Sequence, residues 1–338
     1  MKHTTMLRGI DFRPVWIGAG TLNFYGEGFP YQKLLYDYFR WCDFTGVTFV
    51  AKTITVEARR GKEKGEKGNM RLNLDGSISL WPLKPSCIKI SPLFGTPVNA
   101  VGLSNLGAKA HFNDGRWQKL DKPFQISFAA VGETKEKRHE ERRMFVAEAG
   151  KHISHFCAVA IQENYSCPNA EHRFPSEIKA LTEEMHEGLA ILSELGAPLL
   201  VKVNAFFPIS AAVEIDSDQH CDGFCVSNTI PWGERPEEIP WNRLFLYSLI
   251  FRRSPLWQLG GGGLSGERVR PFSLRWIKEA RDAGVKKHIN GGGGILKPVH
   301  VDMFRDAGAD SVFISSISFK RPWNVQPVIR RGYDRFNK

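Results

Sequence analysis

The segment Asn164–Asn169 reads Asn-Tyr-Ser-Cys-Pro-Asn and places one thiol between two carboxamides. The side chains of Asn164 and Asn169 each offer donors and an acceptor, so together they can hydrogen-bond the edges of a planar polar ring. A cysteine beside such a ring, here Cys167, can accept a proton or attack as a nucleophile. The same residue types are also common in turns. The segment by itself therefore permits both a catalytic site and a plain turn that ends a strand.

Two glycine-rich segments, Gly260–Gly266 and Gly291–Gly294, predict a phosphate site in the last third of the chain. Backbone without a Cβ can approach an anion closely and direct N–H groups at it. Ser315 and Ser316 end the last predicted strand, and barrels often bind phosphate in the loops after strands seven and eight. No Gly-x-Gly-x-x-Gly motif opens a helix early in the chain, and no Lys-Ser/Thr pair follows a glycine loop. The pattern therefore favours a mononucleotide such as FMN over NAD or ATP.

Two lysines accompany apolar runs. Lys202 lies within Leu199–Val203, and Lys52 follows Phe49–Ala51. A buried ammonium group is costly unless an anion compensates its charge. A reduced flavin, which carries negative charge, would supply that anion for Lys202. The alternative is a lysine whose charged end reaches solvent from the end of a strand.

The elements that must position these residues follow an alternating pattern of strand and helix. Apolar, β-branched runs predict strands at Val15–Gly20, Val47–Lys52, Phe124–Ala130, Phe156–Asn164, Pro198–Asn204, Gly223–Asn228, Lys287–Gly291 and Ser311–Ser316. Amphipathic stretches predict helices at Gln32–Trp41, Thr134–Ala149, Pro175–Leu195, Pro271–Ala283 and Pro298–Ala307. This alternation predicts an α/β fold, a (β/α)8 TIM barrel. The candidate residues cluster at the C-terminal ends of the predicted strands, where barrel enzymes carry their chemistry, and this favours the catalytic interpretation.

Two segments interrupt the alternation. We expect residues 1–338 to form a single barrel domain with insertions on its catalytic face near residues 55–115 and 231–259. The first insertion contains short predicted strands around Ile78–Trp81 and Cys87–Ile90, which suggests a hairpin. The second is rich in tryptophan.

The bulk composition restricts the class of protein. A formal charge of +10 suits an anionic substrate, an anionic cofactor or nucleic acid. Glycine and glutamate interrupt the densest basic run, Arg59–Lys67, so we expect a solvated loop there and no nucleic-acid partner. No apolar run approaches the roughly 20 residues that span a bilayer, and the first residues lack the apolar core of a signal peptide. These features predict a cytoplasmic protein without an integral membrane anchor.

The six cysteines show no spacing typical of a disulfide framework. Three residues separate Cys221 from Cys225, but no second pair matches them as metal ligands. We expect both to be small buried side chains, and we expect no metal site.

With these residues in hand, the chain resembles the dihydroorotate dehydrogenase family of FMN-dependent barrels from about Pro14 to Ser318. The motifs that carry the resemblance occur in order: Ala51–Thr53, Asn99–Asn105, Asn164–Asn169, Val201–Val203, Ser227–Thr229, Gly262–Gly266 and Gly293–Ile295. Three features depart from the class 1 pattern. They are residues 170–173, the long tryptophan-rich insertion, and Ser315 where glycine is common.

The resemblance implies oxidation of dihydroorotate to orotate in pyrimidine biosynthesis. Cys167 would be the base that removes the C5 proton, as in class 1 members, while a hydride passes from C6 to flavin N5. The substrate would contact Lys52, Asn99, Val101, Gly102, Leu103, Asn164, Asn169, Asn228 and Thr229. The FMN site would include Gly18, Ala19, Gly20, Thr53, Asn164, Lys202, Ser265, Gly266, Gly293, Gly294, Ser315 and Ser316.

The resemblance leaves the electron acceptor open among fumarate, NAD through a separate electron-transfer subunit, and quinone. A homodimer is expected because similar proteins commonly form one. Three other functions stay open. A dihydropyrimidine dehydrogenase-like enzyme usually has histidine at the position of Asn169, and a tRNA-dihydrouridine synthase typically has glycine where Ser166 stands. A flavin-binding protein without catalysis would not need a proton acceptor such as Cys167.

Overall fold

The computed structural model describes residues 5–61, 68–73, 86–91, 96–165 and 177–337. Its strands in chain order are β1 (Met6–Leu7), β2 (Ile10–Asp11), β3 (Val15–Ile17), β4 (Phe49–Ile54), β5 (Ile88–Ile90), β6 (Pro97–Asn99), β7 (Phe124–Phe128), β8 (Val159–Asn164), β9 (Leu199–Val203), β10 (Gly223–Val226), β11 (Ile230–Pro231), β12 (Gly263–Leu264), β13 (His288–Gly292) and β14 (Ser311–Ile314). The helices are α1 (Pro30–Phe39), α2 (Ala108–Asn113), α3 (Lys135–Ala149), α4 (Ile178–Ser193), α5 (Ile209–Asp216), α6 (Leu246–Phe251), α7 (Arg270–Asp282), α8 (Pro298–Asp306), α9 (Ile317–Lys320) and α10 (Val325–Phe336).

Within the described residues, eight parallel strands form one sheet in the order β3-β14-β13-β10-β9-β8-β7-β4. A parallel bridge between Trp16 and Thr48 joins the two outer strands. There the amide of Ile17 donates to the Thr48 carbonyl at 2.9 Å, and the Thr48 amide donates to the Val15 carbonyl at 2.9 Å. The sheet thus closes on itself, and the predicted (β/α)8 TIM barrel is confirmed.

The barrel strands are buried on both faces, as parallel sheets covered by helices require. Every residue of β7, β8 and β9 is buried.

All eight predicted barrel strands are confirmed, with ends that differ by a few residues, and so are the five predicted helices. Helices α2, α5, α6 and α9 were missed because none exceeds eight residues, too few turns for an amphipathic period to emerge. Helix α10 was missed because it comes after the last barrel strand, whereas the predicted helices lie between strands.

A second, antiparallel sheet lies beyond the barrel strands, with the order β11-β12-β6-β5. In it Asn99 pairs with Gly263 and Ile230 with Leu264, so the two predicted insertions meet in one structure. The predicted hairpin strand near Cys87–Ile90 is confirmed as β5, whereas Ile78–Trp81 lies outside the described residues. The sheet shares an apolar core of its own, which includes Val98, Leu264 and the insertion residues Trp241, Leu244 and Phe245.

The basic run is not a solvated loop throughout. Arg59 is buried, and its Nε donates to the carbonyl of Gly102 at 2.9 Å, so that prediction is wrong at the first residue of the run. A guanidinium group can donate to backbone carbonyls of an irregular loop that belongs to no sheet. The pattern of charges in the sequence does not reveal such a role. Residues 62–67 lie outside the described part.

Among the residues described, no helix is long and apolar enough to cross a membrane, and Cys221 and Cys225 are buried as predicted.

Candidate active site

The predicted site residues that the structure describes lie at one end of the barrel. Lys52 and Thr53 lie near the C-terminal end of β4, Asn164 ends β8, and Lys202 is the penultimate residue of β9. The segment Ser227–Thr229 follows β10 directly. Because all barrel strands run in the same direction, their C-terminal ends form one rim. Cys167 and Asn169 lie outside the described residues.

A chain of hydrogen bonds runs along this rim. The hydroxyls of Ser127 and Thr53 are 2.8 Å apart, and Asn164 Nδ2 donates to Thr53 Oγ1 at 3.5 Å. Asn228 Nδ2 donates to Asn164 Oδ1 at 2.8 Å, and Asn228 Oδ1 accepts from the amide of Thr229 at 2.9 Å. These bonds fix which way each amide faces and use one N–H of each carboxamide. Among the residues that the structure describes, the second N–H of each has no partner and could donate to a ligand.

Ser127 belongs to this chain, although the sequence analysis did not name it. It is fully buried in the apolar strand β7, two residues after Gln125, which is also fully buried. Polar residues that alternate within an apolar strand face the same side of the sheet. That alternation was the available signal, and it marks the strand face that lines the barrel interior.

Buried ion pairs anchor the strand that carries Asn164. Arg142 of α3 donates through Nε to Glu163 at 2.7 Å, and both side chains are almost completely buried. Arg138, one turn earlier in α3, pairs with Glu184 of α4 at 2.5 Å. Successive side chains of a strand point in opposite directions, so Glu163 meets the helices while Asn164 faces the rim. The pairs therefore fix the height and orientation of the asparagine.

Lys52 connects the barrel to the segment after β6. The pairing of β4 with β7 is irregular between Ala51 and Ile54, and such bulges redirect side chains near active sites. The Lys52 ammonium donates to the Ser104 carbonyl at 2.5 Å and lies 5.0 Å from the ring centre of Phe24. Only 7% of Lys52 is exposed. A positive charge is thus held beside the predicted substrate segment Asn99–Leu103.

That segment is tightly bonded. Asn99 Nδ2 lies 3.4 Å from Ser265 Oγ, which links a predicted substrate residue to a predicted FMN residue. Leu103 adopts a left-handed backbone with φ of 56°, a conformation that a leucine rarely takes. Asn105 holds it in place, because its Nδ2 donates to the Leu103 carbonyl at 2.7 Å. The backbone of Val101 and Gly102 is thereby fixed beside Lys52.

His111 of α2 supports the same region as a neutral imidazole. Its Nε2 accepts from the amide of Leu106 at 3.2 Å, so the proton resides on Nδ1, which lies 2.8 Å from Tyr25 Oη. Burial, together with the charge of Lys52, lowers the pKa of His111 to about 3. The imidazole therefore joins the segment after β6 to the loop after β3 without adding charge.

Lys202 lines a small cavity of about 10 Å³ inside the barrel. It is 9% exposed, and Asn164 and Cys225 are its register neighbours on the adjoining strands. Gly18 and Ala19 line the same cavity. Burial raises the pKa of Cys225 to about 11, so this thiol does not neutralise the ammonium. Within the described residues no carboxylate pairs with Lys202. A buried cation without an acidic partner suits an anionic ligand, as the reduced flavin ring would be.

The two glycine-rich segments meet at a second place on the rim. A Cβ added to Gly294 would lie 2.7 Å from the Gly266 carbonyl oxygen, and one added to Gly266 would lie 3.9 Å from Ser316 Oγ. Both glycines have positive φ, of 76° and 84°. At this phosphate corner, as we call Gly266, Gly294 and Ser316 together, the two loops approach each other so closely that a side chain on Gly294 would clash with the neighbouring backbone.

Cations surround the phosphate corner, and the sequence analysis did not name them. Arg270 donates to the Gly294 carbonyl at 2.9 Å. Burial lowers the pKa of Lys320, and the charges of Arg321, Arg268 and Arg270 lower it further while Glu267 opposes them. Arg270 is itself paired with Glu267 at 3.2 Å, so one carboxylate partly compensates these cations. An added phosphate would compensate the rest.

Four predicted FMN residues occupy other positions near these groups. Gly20 covers the stem of Lys52, with 3.4 Å between its added Cβ and Lys52 Cγ. Ser315 is exposed and lies next to Gly18, and its hydroxyl is 2.6 Å from that of Thr21. Gly293 packs against Val269 at the start of α7. Ser265 is tied by its amide to the carbonyl of Pro97 at 2.9 Å.

Comparisons with known proteins agree with this geometry. The family model for dihydroorotate dehydrogenase matches residues 84–332. Dihydroorotate dehydrogenase A (fumarate) of Lactiplantibacillus plantarum is 27% identical over 243 residues, which are 69% of this chain and 70% of the relative. The catalytic subunit of dihydroorotate dehydrogenase B (NAD(+)) of Endomicrobium trichonymphae is 26% identical over 287 residues, covering 83% of this chain and 77% of the relative.

Solved structures show the same fold. The crystal structure of dihydroorotate dehydrogenase from Eimeria tenella in complex with ferulenol superposes with a TM-score of 0.67 at 15% identity. The superposition covers all of this chain and 86% of the other. At this level of identity the likeness concerns the fold.

Proposed function

We propose, from the premise that this chain belongs to the dihydroorotate dehydrogenase family, that it oxidises (S)-dihydroorotate to orotate with bound FMN. Membership makes the chain an oxidoreductase that acts on a CH–CH bond. The observation that carries the proposal is the rim itself. Asn164 and Asn228 are bonded to each other at 2.8 Å. Two buried lysines, Lys202 on the neighbouring strand β9 and Lys52 on β4 farther round the barrel, belong to the same rim.

The carboxamides would hold the pyrimidine ring. Dihydroorotate presents ring N–H and C=O groups together with a carboxylate, and amide side chains can donate to and accept from such a ring. The pre-formed bonds among Thr53, Asn164 and Asn228 limit the motion of these side chains before the substrate binds. This positioning lowers the entropic cost of reaching a reactive geometry. Lys52, whose ammonium is bonded to the Ser104 carbonyl, would supply positive charge for the anionic substrate.

Cys167 would take the proton from C5. A thiol serves as a base once its pKa approaches neutrality, and a nearby cation favours its ionised form. FMN, when bound, supplies the two-electron acceptor that receives the hydride from C6 at N5. The proton leaves C5 and the hydride leaves C6, so that a double bond forms between these two carbons in orotate. Cys167 must therefore face the substrate from the side opposite the flavin.

Lys202 and the phosphate corner would hold the two ends of the cofactor. Lys202 would place its ammonium against the isoalloxazine and favour the negative charge that reduction brings. Gly266, Gly294 and Ser316 would cradle the phosphate, with Arg270 and Lys320 adding positive charge nearby. The fit rests on the Cβ-free approach at both glycines and on the absence of an acidic partner for Lys202 in the described residues.

The proposal is tested by rapid mixing of the flavin-loaded protein with dihydroorotate under anaerobic conditions. Cys167→Ala should retain FMN but lose most of the rate of flavin bleaching, roughly 10²–10⁴-fold, the usual contribution of a general base. Cys157→Ala is the matched control, because Cys157 is an exposed cysteine just before β8, at the opposite end of that strand. An unchanged bleaching rate in Cys167→Ala would remove the cysteine from the mechanism.

The electron acceptor needs a separate measurement. The relatives carry fumarate and NAD(+) in their names, and the latter is described as a catalytic subunit, which implies a partner subunit for that protein. We propose that this chain passes its electrons to one of these acceptors and forms a homodimer. Reoxidation of the reduced protein with fumarate alone would support independent action. Reoxidation by NAD(+) only in the presence of a second subunit would support the other arrangement.

A further inference from the structure

Helix α6 exposes an unusual set of large apolar side chains. The exposed fractions are 67% for Leu246, 51% for Leu249, 63% for Ile250, 54% for Phe251 and 46% for Trp257, and we call these residues the α6 patch. Single exposed apolar residues are normal on protein surfaces, but a contiguous group usually marks an interaction site. The patch lies within the tryptophan-rich insertion, whose length the family resemblance does not account for.

The α6 patch stands on a firm base. Trp241, Leu244 and Phe245 precede it and are buried in the second apolar core, where the rings of Trp232 and Trp241 lie 4.8 Å apart. On the far side, Ser254 is buried and donates to the Gly261 carbonyl at 2.6 Å. The same segment thus has an inward face that is fully packed and an outward face that is apolar. The exposure is therefore built into the fold.

The stretch that carries the α6 patch has charges of one sign, although Glu238 and Glu267 flank it directly. Residues 239–266 contain no aspartate or glutamate and three arginines, Arg243, Arg252 and Arg253. The Arg253 guanidinium lies 4.1 Å from the ring centre of Trp257, and its Nε donates to Tyr247 Oη at 3.1 Å. Arginines that interleave with aromatic and aliphatic side chains are typical of surfaces that contact lipid headgroups and the first carbons of the acyl chains.

A second copy of this chain fits the patch poorly. A two-fold interface places the same patch on both partners. Such an interface would bring the arginines of both copies into one buried surface, and no acidic residue of 239–266 is available there to compensate them. Like charges brought together in this way oppose association. Anionic lipid headgroups supply the missing negative charge, and the region below them accepts the apolar side chains.

We propose that the α6 patch docks this protein on the surface of a lipid bilayer that contains anionic lipids. Helix α6 has six residues and is about 9 Å long, so it lies on the bilayer and does not cross it. The apolar side chains would enter the interface, while Arg252 and Arg253 would bind headgroup phosphates. This proposal is independent of the proposed catalytic function, because it uses none of the rim residues.

Sedimentation with vesicles tests the proposal on the full chain. One set of vesicles contains phosphatidylcholine alone, and the other contains phosphatidylcholine with phosphatidylglycerol. The double variant Leu246→Glu/Ile250→Glu removes the apolar contact, and Arg252→Gln/Arg253→Gln removes the charge. Met144→Glu is the control, because Met144 is 45% exposed on α3, far from the segment in sequence. Circular dichroism and thermal unfolding check that every variant is folded.

The wild type and the control should sediment with the anionic vesicles, and less so as salt is added. The double glutamate variant should remain in the supernatant. The double glutamine variant should bind anionic vesicles about thirty-fold more weakly, as expected for two arginines near the surface. Absence of wild-type binding, or equal binding by the double glutamate variant, overturns the proposal. A dimer in sedimentation velocity that only the double glutamate variant loses, without vesicle binding, assigns the patch to self-association and also overturns it.

Discussion

Replacement of Lys202 by methionine should raise the stability of the apoprotein and lower the reduction potential of the bound flavin. Methionine keeps an unbranched side chain of similar length and removes the charge of a residue that is 9% exposed, within the apolar strand β9. Without flavin, the wild type bears the desolvation cost of the buried ammonium. The variant apoprotein should therefore be more stable, by an amount within the roughly 1–4 kcal/mol gained when buried ion pairs are exchanged for apolar side chains.

With FMN bound, Lys202→Met should lower the reduction potential. An ammonium about 4 Å from a negative charge contributes about 4 kcal/mol at an effective dielectric constant of about 20. For a two-electron couple this corresponds to about 90 mV, taken as an upper value. Loss of the charge makes reduction less favourable, so the potential should shift to more negative values by tens of millivolts.

The assays are denaturant unfolding of the apoprotein and anaerobic redox titration of the FMN complex. Lys287→Met is the control. Lys287 just precedes β13 at the opposite end of the barrel and donates to the carbonyls of Asp218 and Cys221. Its loss should reduce stability and leave the potential unchanged. A Lys202→Met protein that binds FMN with an unchanged potential would refute the role assigned to this lysine.

Four further changes have definite expectations. Asn228→Ala removes the donor to Asn164 Oδ1 and should lower kcat/KM for dihydroorotate by about 5- to 150-fold, because an orphaned buried acceptor costs about 1–3 kcal/mol. Gly294→Ala adds a Cβ 2.6 Å from neighbouring backbone and should weaken FMN binding, measured by flavin release at equilibrium. Arg142→Met breaks a buried ion pair and should cost about 3–5 kcal/mol in denaturant unfolding. His111, with a pKa of about 3, contributes stability that is complete above pH 6.5 and is lost as the pH falls toward 3. The loss is about 2 kcal/mol at pH 5, and His111→Gln should lack it.

Each of these expectations has a contrary result. Normal kcat/KM in Asn228→Ala would mean that the amide does not position the substrate. Unchanged FMN affinity in Gly294→Ala would place the phosphate elsewhere. Arg142→Met as stable as the wild type would show that the ion pair does not anchor β8. An identical pH dependence of unfolding with and without His111 would mean that another group titrates.

The barrel could be predicted from the sequence because its strands are buried on both faces. Such strands appear as separate apolar runs, for example Leu199–Val203, and the helices between them have a visible period. Short helices such as α5 give no such period. The antiparallel sheet that joins β6 to β12 could not be foreseen, because its strands are two or three residues long and pair across more than 160 positions of sequence.

The candidate site divides in the same way. Residues at strand ends, such as Lys52 and Asn228, could be named because barrels place their chemistry there. Ser127 was missed because it precedes the strand end and has no motif of its own. Arg270 was missed because its position in the phosphate corner depends on how α7 packs against the glycine loop, which is a tertiary contact. The residues whose place depends on tertiary packing are thus the hardest to find from sequence.

The most direct measurement is an anaerobic titration of the purified protein with (S)-dihydroorotate, followed by the absorbance of the flavin. We predict that the protein is yellow, that one equivalent of dihydroorotate bleaches one FMN per chain, and that one equivalent of orotate is formed. A protein that keeps its flavin absorbance with dihydroorotate but is bleached by a reduced nicotinamide would contradict the proposed function.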